Sequence, residues 1–457
     1  MSAVALLLCT IGSVAAQTSP MSSDTLTAKK ATTRPLLDTT VPDSTVRHAE
    51  RARVVIDTLA VKKDTTQLLY VTTAPDSTRG QADSARANEG HPQDSPTDRG
   101  FLLRTGDGKA ELRIIGSVRL NGIYDFNGLQ TSMSFNTYAI PVGDANSQEA
   151  SFQMSAAQTR LALEATKKGD AGDIFVKVET DFLGPSDALR LRQAYGTFNR
   201  FLIGQTWSTF DDPSSIPLTV DLDGPNSSVS ARTVQFRYMG TINPTLTWDA
   251  AIESPSVESS IPDSVGQEPS FQSFPDVVGR MRESGTWGHV QLAAVLRSIS
   301  VRNPQGDLDV LAGYGMLLSG RIYLGGSRPH RILYQLVGGK GISRFITALS
   351  GEGLDLVYNP LSGSVELTQS EGGYISYARE WVPSLLTYVT AGFLRIRNID
   401  FFPDDAFSSS QYVSANLFWD PSAGTRMGVE YAWGRRVNKN GDDGTANRVS
   451  FIVRYDF

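Results

Sequence analysis

Apolar and polar residues alternate at period two through most of this chain, and the pattern is clearest at its end. Val449, Phe451, Val453, Tyr455 and Phe457 interleave with Arg448, Ser450, Arg454 and Asp456. Such a run predicts a strand with one apolar and one polar face. Sixteen runs of this kind begin at residue 111: 111–126, 150–167, 173–183, 189–199, 201–210, 232–240, 246–255, 275–285, 288–301, 314–324, 330–345, 365–381, 385–398, 409–420, 424–437 and 448–457. Short connections (168–170, 199–200, 243–244, 325–327, 382–384, 421–423) largely alternate with long ones (127–149, 211–231, 256–274, 302–313, 346–364, 438–447). Only 184–188 is short where a long one is due. An even number of strands, with tight turns at one rim and long loops at the other, is the layout of outer-membrane barrels. A soluble sandwich ending on so apolar an edge strand would invite aggregation. The predicted fold is therefore all-β: a transmembrane antiparallel β-barrel of about 16 strands. A barrel of that size is too wide for side chains to fill and leaves an aqueous channel. Phe451, Tyr455 and above all the terminal Phe457 form the expected assembly signal, read by the barrel-insertion machinery.

Composition narrows the picture further. Mean hydropathy is −0.19, and no apolar run reaches the roughly 20 residues of a membrane-spanning helix. Cys9 is the only cysteine, so no disulfide can form within the chain, and four scattered histidines suggest no metal site. No cofactor is expected, and a net charge of −6 argues against nucleic acid as a partner. Residues 1–16 read as a signal peptide: apolar from Ala3 to Val14, with small residues Ala15 and Ala16 before Gln17, though without a basic residue ahead. Leu8, bulky before Cys9, argues against a lipoprotein. Residues 17–100 are rich in Thr, Ser, Asp and Pro and predict a disordered, low-complexity periplasmic segment. That segment repeats itself at an offset of 33: Asp24 to Lys30 and Pro42 to Thr45 recur as Asp57 to Lys63 and Pro75 to Thr78. Two copies are too few for a solenoid. They suit a duplicated spacer, or a linear motif shown twice to a periplasmic partner. Residues 101–457 are the expected barrel.

From Phe101 onward there are 25 Arg and only 6 Lys. A charged residue facing lipid costs about 2–4 kcal/mol at the bilayer midplane, so alternation should turn arginines toward the lumen. On that basis Arg190, Arg192, Arg237, Arg280, Arg282, Arg395 and Arg397 are candidate pore-lining residues. The planar guanidinium binds carboxylates through two nitrogens and stays charged at any relevant pH. Equally, such arginines could form ladders with Glu164, Glu179, Asp181, Glu253, Glu380 and Glu430 and stiffen the wall. Arg190/Arg192 and Arg280/Arg282 have few acids nearby in sequence, which favours the channel for them. The connection 211–231 holds Asp211, Asp212, Asp221 and Asp223 and is stiffened by Pro213, Pro217 and Pro225. As the third long-loop position it is a candidate constriction loop, whose acids would set up a transverse field against arginines on the wall. An outward loop with solvated acids is the other reading.

The stretches Leu189-Arg-Leu-Arg-Gln-Ala-Tyr-Gly196, Leu202-Ile-Gly-Gln-Thr-Trp-Ser-Thr-Phe210, Asp221-Leu-Asp-Gly-Pro-Asn226, Gln235-Phe-Arg-Tyr238 and Ala251-Ile-Glu-Ser-Pro255 resemble the DcaP-like outer-membrane porins. The resemblance covers about residues 115–255 and fades to strand texture beyond. It implies a homotrimeric sixteen-stranded channel for small organic anions, dicarboxylates among them. Family members can carry a periplasmic coiled coil before the barrel, but residues 18–100 show no sustained heptad.

No enzymatic constellation is legible. His289 and His330 come with no Ser or Cys motif, and Gly338-Gly339-Lys340-Gly341 lacks phosphate-loop spacing. The expected function is passive, anion-preferring diffusion through an outer-membrane porin. Its partners would be lipid, small organic anions and the assembly machinery. The alternative is a structural or adhesive barrel that holds a periplasmic partner through its N-terminal segment.

Overall fold

The computed structural model describes residues 70–72, 100–127, 129, 133–143, 149–262, 270–303, 306–325, 330–397 and 400–457. The expected signal peptide and nearly all of the segment 17–100 lie outside these residues.

Sixteen strands form the wall: β1 (Ala110–Asn127), β2 (Ser151–Ser155 and Arg160–Lys167), β3 (Ile174–Asp181), β4 (Arg190–Phe198), β5 (Phe201–Trp207), β6 (Arg232–Thr241), β7 (Leu246–Glu253) and β8 (Asp276–Gly285). They continue as β9 (Gly288–Arg302), β10 (Leu308–Leu324), β11 (His330–Lys340), β12 (Gln369–Val382), β13 (Leu385–Arg397), β14 (Phe407–Ser422), β15 (Thr425–Asn438) and β16 (Asp443–Asp456). Each strand pairs antiparallel with the next. β16 then pairs back onto β1 from Asp456↔Ser117 to Asn447↔Asn127, which closes the barrel and leaves no edge in the membrane.

The sequence dictates this closure locally. A Cβ on Gly122 would lie 1.9 Å from the ring of Phe451, and one on Gly116 would lie 2.6 Å from that of Phe457. The two rings thus fill the places of missing side chains across the seam. The tightest turn, Asn199-Arg200, puts Asn199 at φ 53, a left-handed conformation that asparagine tolerates.

The outer face carries the apolar half of the alternation, including Leu292, Leu296, Met316, Leu336 and Ile375. Near the short turns that face becomes aromatic: Phe201, Trp287, Tyr377, Trp381, Trp419 and Tyr455 are all exposed. This is the girdle expected at a membrane interface.

Two loops are shorter than their sequence suggested. β9 and β10 run on to Arg302 and from Leu308, and β15 and β16 to Asn438 and from Asp443. Strand pairing there simply continues past the alternating stretch. Three other connections turn inward. The connection 208–231 is buried almost throughout. Residues 341–368 bury Ile342, Phe345, Ile346, Leu349 and Leu354, and carry a small hairpin of Leu356–Asn359 with Ser364–Leu367. The first loop buries Phe135, Thr137 and Ile140. Val229, Phe345 and Ile346 pack with the inward wall residues Val295, Leu317, Val337, Leu394 and Ile396. The barrel therefore contains an apolar core inside its loop-side half.

Candidate functional site: a loop fastened across the lumen

The wall faces inward with polar side chains, and the connection 208–231 is tied to them along its length. At its root, Glu253 of β7 accepts from the Ser208 hydroxyl (2.7 Å) and the Thr209 amide (2.6 Å). Arg237 donates to the Trp207 carbonyl (2.6 Å) and to Gln235 (2.8 Å).

Asp212, with no exposed surface, is the next fixed point. It meets His289 Nε2 and Ser319 Oγ at 2.8 Å each, Ser214 Oγ at 2.7 Å and Arg282 Nη1 at 3.4 Å. Burial alone would raise its pKa; the charge of Arg282 and the His289 contact hold it well below the ordinary carboxylate range. Asp211 is equally buried, and its carbonyl accepts from Gln291 (3.0 Å). Gln335 donates to Ser215 Oγ (2.9 Å).

Further along, Glu430 of β15 accepts the Val220 and Asp221 amides (3.2 and 3.0 Å) and Asn416 Nδ2 (2.8 Å). Leu218 and Val220 pack on Leu333, Tyr388, Phe418 and Ile452. Asp221 accepts the Phe135 amide (2.7 Å) and lies 3.7 Å from Arg448, which is itself clamped on Asp125. Burial pushes the Asp221 carboxyl up to about 6, against the pull of Arg448. The loop returns through Ser227 to the Gly373 carbonyl (2.9 Å) and Val229 to Gln335 (3.0 Å).

Asp223 stands apart at the far bend, half-buried. Burial raises its pKa, while the Ser134 hydroxyl and the charges of Arg190 and Arg232 lower it. Those two arginines belong to β4 and β6, and β6 also carries the root anchor Arg237. The inner faces of β2 to β4 carry an alternating ladder. Lys177 lies between Glu164 (3.4 Å) and Glu179 (3.5 Å). Arg192 bridges Glu179 (2.8 Å) and Asp181 (3.0 Å). Arg190 grips Asp181 through Nε (3.0 Å) and Nη2 (2.8 Å). Arg119 and Arg160 add positive charge beside this ladder, both acting on Glu179 or its neighbours.

The pore-lining candidates thus divide. Arg190, Arg192, Arg237, Arg280 and Arg282 face inward, but none lacks an acid nearby. Arg280 meets Asp249 at 2.6 Å and Arg237 lies 4.0 Å from it. The expectation of few adjacent acids fails because the partners come from neighbouring strands: Asp181 is opposite Arg190, and Asp249 opposite Arg280. Arg395 and Arg397 face outward, a correction to the alternation argument. They share the face of Phe393, 49% exposed, whereas Leu394 and Ile396 are 1% and 2% exposed inside. Both arginines lie beyond Phe393 toward the loop rim, and Arg397 pairs with Glu371 at 2.6 Å. The loops filling the lumen there make its interior apolar, so the usual inside–outside rule inverts.

The structure also assembles Ser214, His289 and Asp212, which sequence reasoning did not connect. Ser214 and Asp212 both lie against His289 Nε2, at 3.4 and 2.8 Å. A nucleophile relay needs both ring nitrogens, one for the hydroxyl and one for the acid. This trio is an anchor for the loop. Among the described residues no group of His, Cys, Asp and Glu is placed to hold a metal.

A closed sixteen-stranded barrel with an apolar belt and a polar lumen spanned by a fastened loop defines an outer-membrane channel of the porin class. The sequence profile of the DcaP outer membrane protein family matches residues 93–457, and the chain belongs to that family. The structure is similar to the outer membrane channel DcaP of Acinetobacter baumannii, at 20% identity and a TM-score of 0.68, covering 78% of this chain and 99% of that one. It is also similar to an anion-selective porin from Comamonas acidovorans, at 10% identity and a TM-score of 0.50, covering 76% of this chain and 100% of that one. Among curated protein sequences none matches.

Proposed function

We propose that this channel passes small hydrophilic solutes by passive diffusion and prefers organic anions, dicarboxylates in particular. The observation that carries this reading is the arrangement of charge around the loop. The charges of Arg190 and Arg232 both act on Asp223 of the loop, and Arg190, with 37% of its side chain exposed, ends a ladder of Lys177, Arg192 and Arg190 against Glu164, Glu179 and Asp181. A half-exposed guanidinium in a narrow passage bounded by low-dielectric protein attracts anions more than it would in open water. Arg190 and Arg232, with Arg192 behind, offer a dicarboxylate two points of attraction, and contacts of this kind must stay weak for the solute to leave.

In this reading residues 1–16 are removed as a signal peptide, the short turns and N-terminal segment face the periplasm, and the barrel assembles as a homotrimer. Proteoliposome swelling tests solute choice: succinate should enter faster than a neutral solute of the same size, and faster than a diamine. Equal entry of all three would leave a general pore without anion preference.

A further inference from the structure

The outer face of the wall changes character at the loop rim of β10 to β13. Strand register sets Tyr314, Lys340, Gln369 and Arg397 side by side in one row. The next same-face row toward the turns holds Gly338, Glu371, Arg395 and Ser409. Both rows point away from the lumen, since Ser370 and Ile396, which lie between them, are buried inside. One row lower the face is apolar again, with Leu336 and Phe393 exposed.

The patch is not balanced by its own acids. Glu371 stands opposite Arg395 in register but is held by Arg397, through Nε at 2.8 Å and Nη2 at 2.6 Å. Lys340 and Arg395 form no ion pair with any described residue. Arg395 is exposed and Lys340 partly so. Between them Gly338 offers no side chain, and a Cβ there would meet nothing closer than 3.9 Å. The two cations therefore border a shallow recess. They lie two strand spacings apart, about 10 Å, and one same-face step along the strand, about 7 Å. Long side chains can close over that span on one phosphate or on two neighbouring ones.

An unpaired cation on a membrane-facing wall draws its counter-charge from outside the protein. The exposed Leu336, Phe393 and Ile375 of the apolar belt begin directly below. An occupant that covers both regions is apolar on one side and anionic on the other. A soluble anion meets only the upper half, whereas a lipid lays its acyl chains on the belt and its headgroup at the rim. We propose that this patch docks a phosphorylated lipid of the leaflet on the loop side, with Lys340 and Arg395 on its phosphates. The proposal concerns the outer wall and is independent of what the lumen passes. The same strands press Val337, Leu394 and Ile396 against the inward loops. A lipid bound outside them stabilises the loop-side half of the barrel by mass action.

Titrating purified full-length protein in a neutral detergent with bisphosphorylated lipid A, and with the same lipid stripped of both phosphates, tests this. The lipid-bound fraction is read by native mass spectrometry. Each cation near an anionic lipid surface contributes about fivefold, so the phosphorylated form should bind about thirtyfold tighter. Lys340→Gln with Arg395→Gln should lose that preference, Arg395→Gln alone should lose about fivefold of it, and Arg395→Lys should keep it. Arg379→Gln is the control: Arg379 faces outward near the opposite rim, 3.8 Å above the ring of Trp381, and should not matter. No phosphate preference in the wild type, unchanged binding in variants with normal heat-modifiable migration, or an equal loss in Arg379→Gln overturns the proposal. Release of the lipid by inorganic phosphate, but not by chloride at the same ionic strength, makes the recess a site for a free anion and also overturns it. A double variant that drops to a smaller oligomer than the wild type assigns the face to a second copy of the chain instead.

Discussion

Asp212→Asn isolates the anchor that holds the connection 208–231 to β8, β9 and β10. The change keeps the shape of the side chain and removes its charge. Wild-type Asp212 has no exposed surface and takes four polar contacts, from His289, Ser319, Ser214 and Arg282. An amide oxygen turned toward Ser214 and Arg282 preserves those contacts, and its NH2 can then donate to His289 or Ser319. What cannot be preserved is the countercharge for Arg282, 5% exposed in the wall. Breaking a buried pair by removing one partner costs about 3–5 kcal/mol, and the retained hydrogen bonds place this case near 3. That weakens docking of the loop root about 150-fold at 1.36 kcal/mol per decade. The anchors at Glu253, Glu430 and Gln335 remain, so residues 211–216 should loosen without the loop leaving the lumen. In planar bilayers the variant should show larger open-channel current noise than wild type, with the barrel's thermal unfolding little changed. A quiet trace of wild-type conductance would show that the Asp212 cluster does not hold the constriction.

Three further outcomes follow from the same geometry. Arg190→Gln removes the most accessible guanidinium of the ladder; one charge about 8 Å from a passing ion in a medium of dielectric about 40 is worth about 1 kcal/mol. The anion-to-cation permeability ratio should fall about fivefold, Asp223→Asn should raise it, and no change in either variant would assign both residues to wall bracing. Lowering pH from 7.5 to 5 should strengthen anion preference: the Asp221 carboxyl, pushed up to about 6, loses negative charge as pH falls, while the arginines keep theirs. A shift toward cations on acidification would contradict that sign. Phe457→Asp puts a charge where the ring covers Gly116 at the seam, so the protein should accumulate unassembled in the periplasm; normal heat-modifiable barrel in the outer membrane would refute the role given to that ring.

Much of this was legible in the chain because a barrel wall is written in local periodicity. All sixteen strands lie near where alternation put them, since one-sided lipid exposure leaves its mark residue by residue; the runs at 330–345 and 365–381 overreach into the inward connection, because β11 ends at Lys340 and β12 begins at Gln369. The partners of Arg190 and Arg280 were not legible. Asp181 and Asp249 come opposite them through strand register, which a single strand's pattern does not encode. Arg395 and Arg397 misled because charge and apolarity mark the lumen only where the lumen holds water. Leu394 and Ile396 meet Val229, Phe345 and Ile346 instead. A signal for that existed: Ile342, Phe345, Ile346, Leu349 and Leu354 are too many apolar residues for a loop left in solvent. The Ser214–His289–Asp212 cluster joins a loop to a wall and has no sequence signature at all.

The sign of the channel's selectivity separates control by the wall arginines from control by the loop carboxylates. Wild-type protein should be reconstituted in a planar bilayer under a potassium chloride gradient, at about 0.1 M on the dilute side, where screening reaches only about 10 Å. The reversal potential should have the sign of chloride permeating faster than potassium, and should move toward zero as salt on both sides is raised. A reversal potential of the opposite sign at low salt would mean that the loop carboxylates, and not the wall arginines, govern what passes.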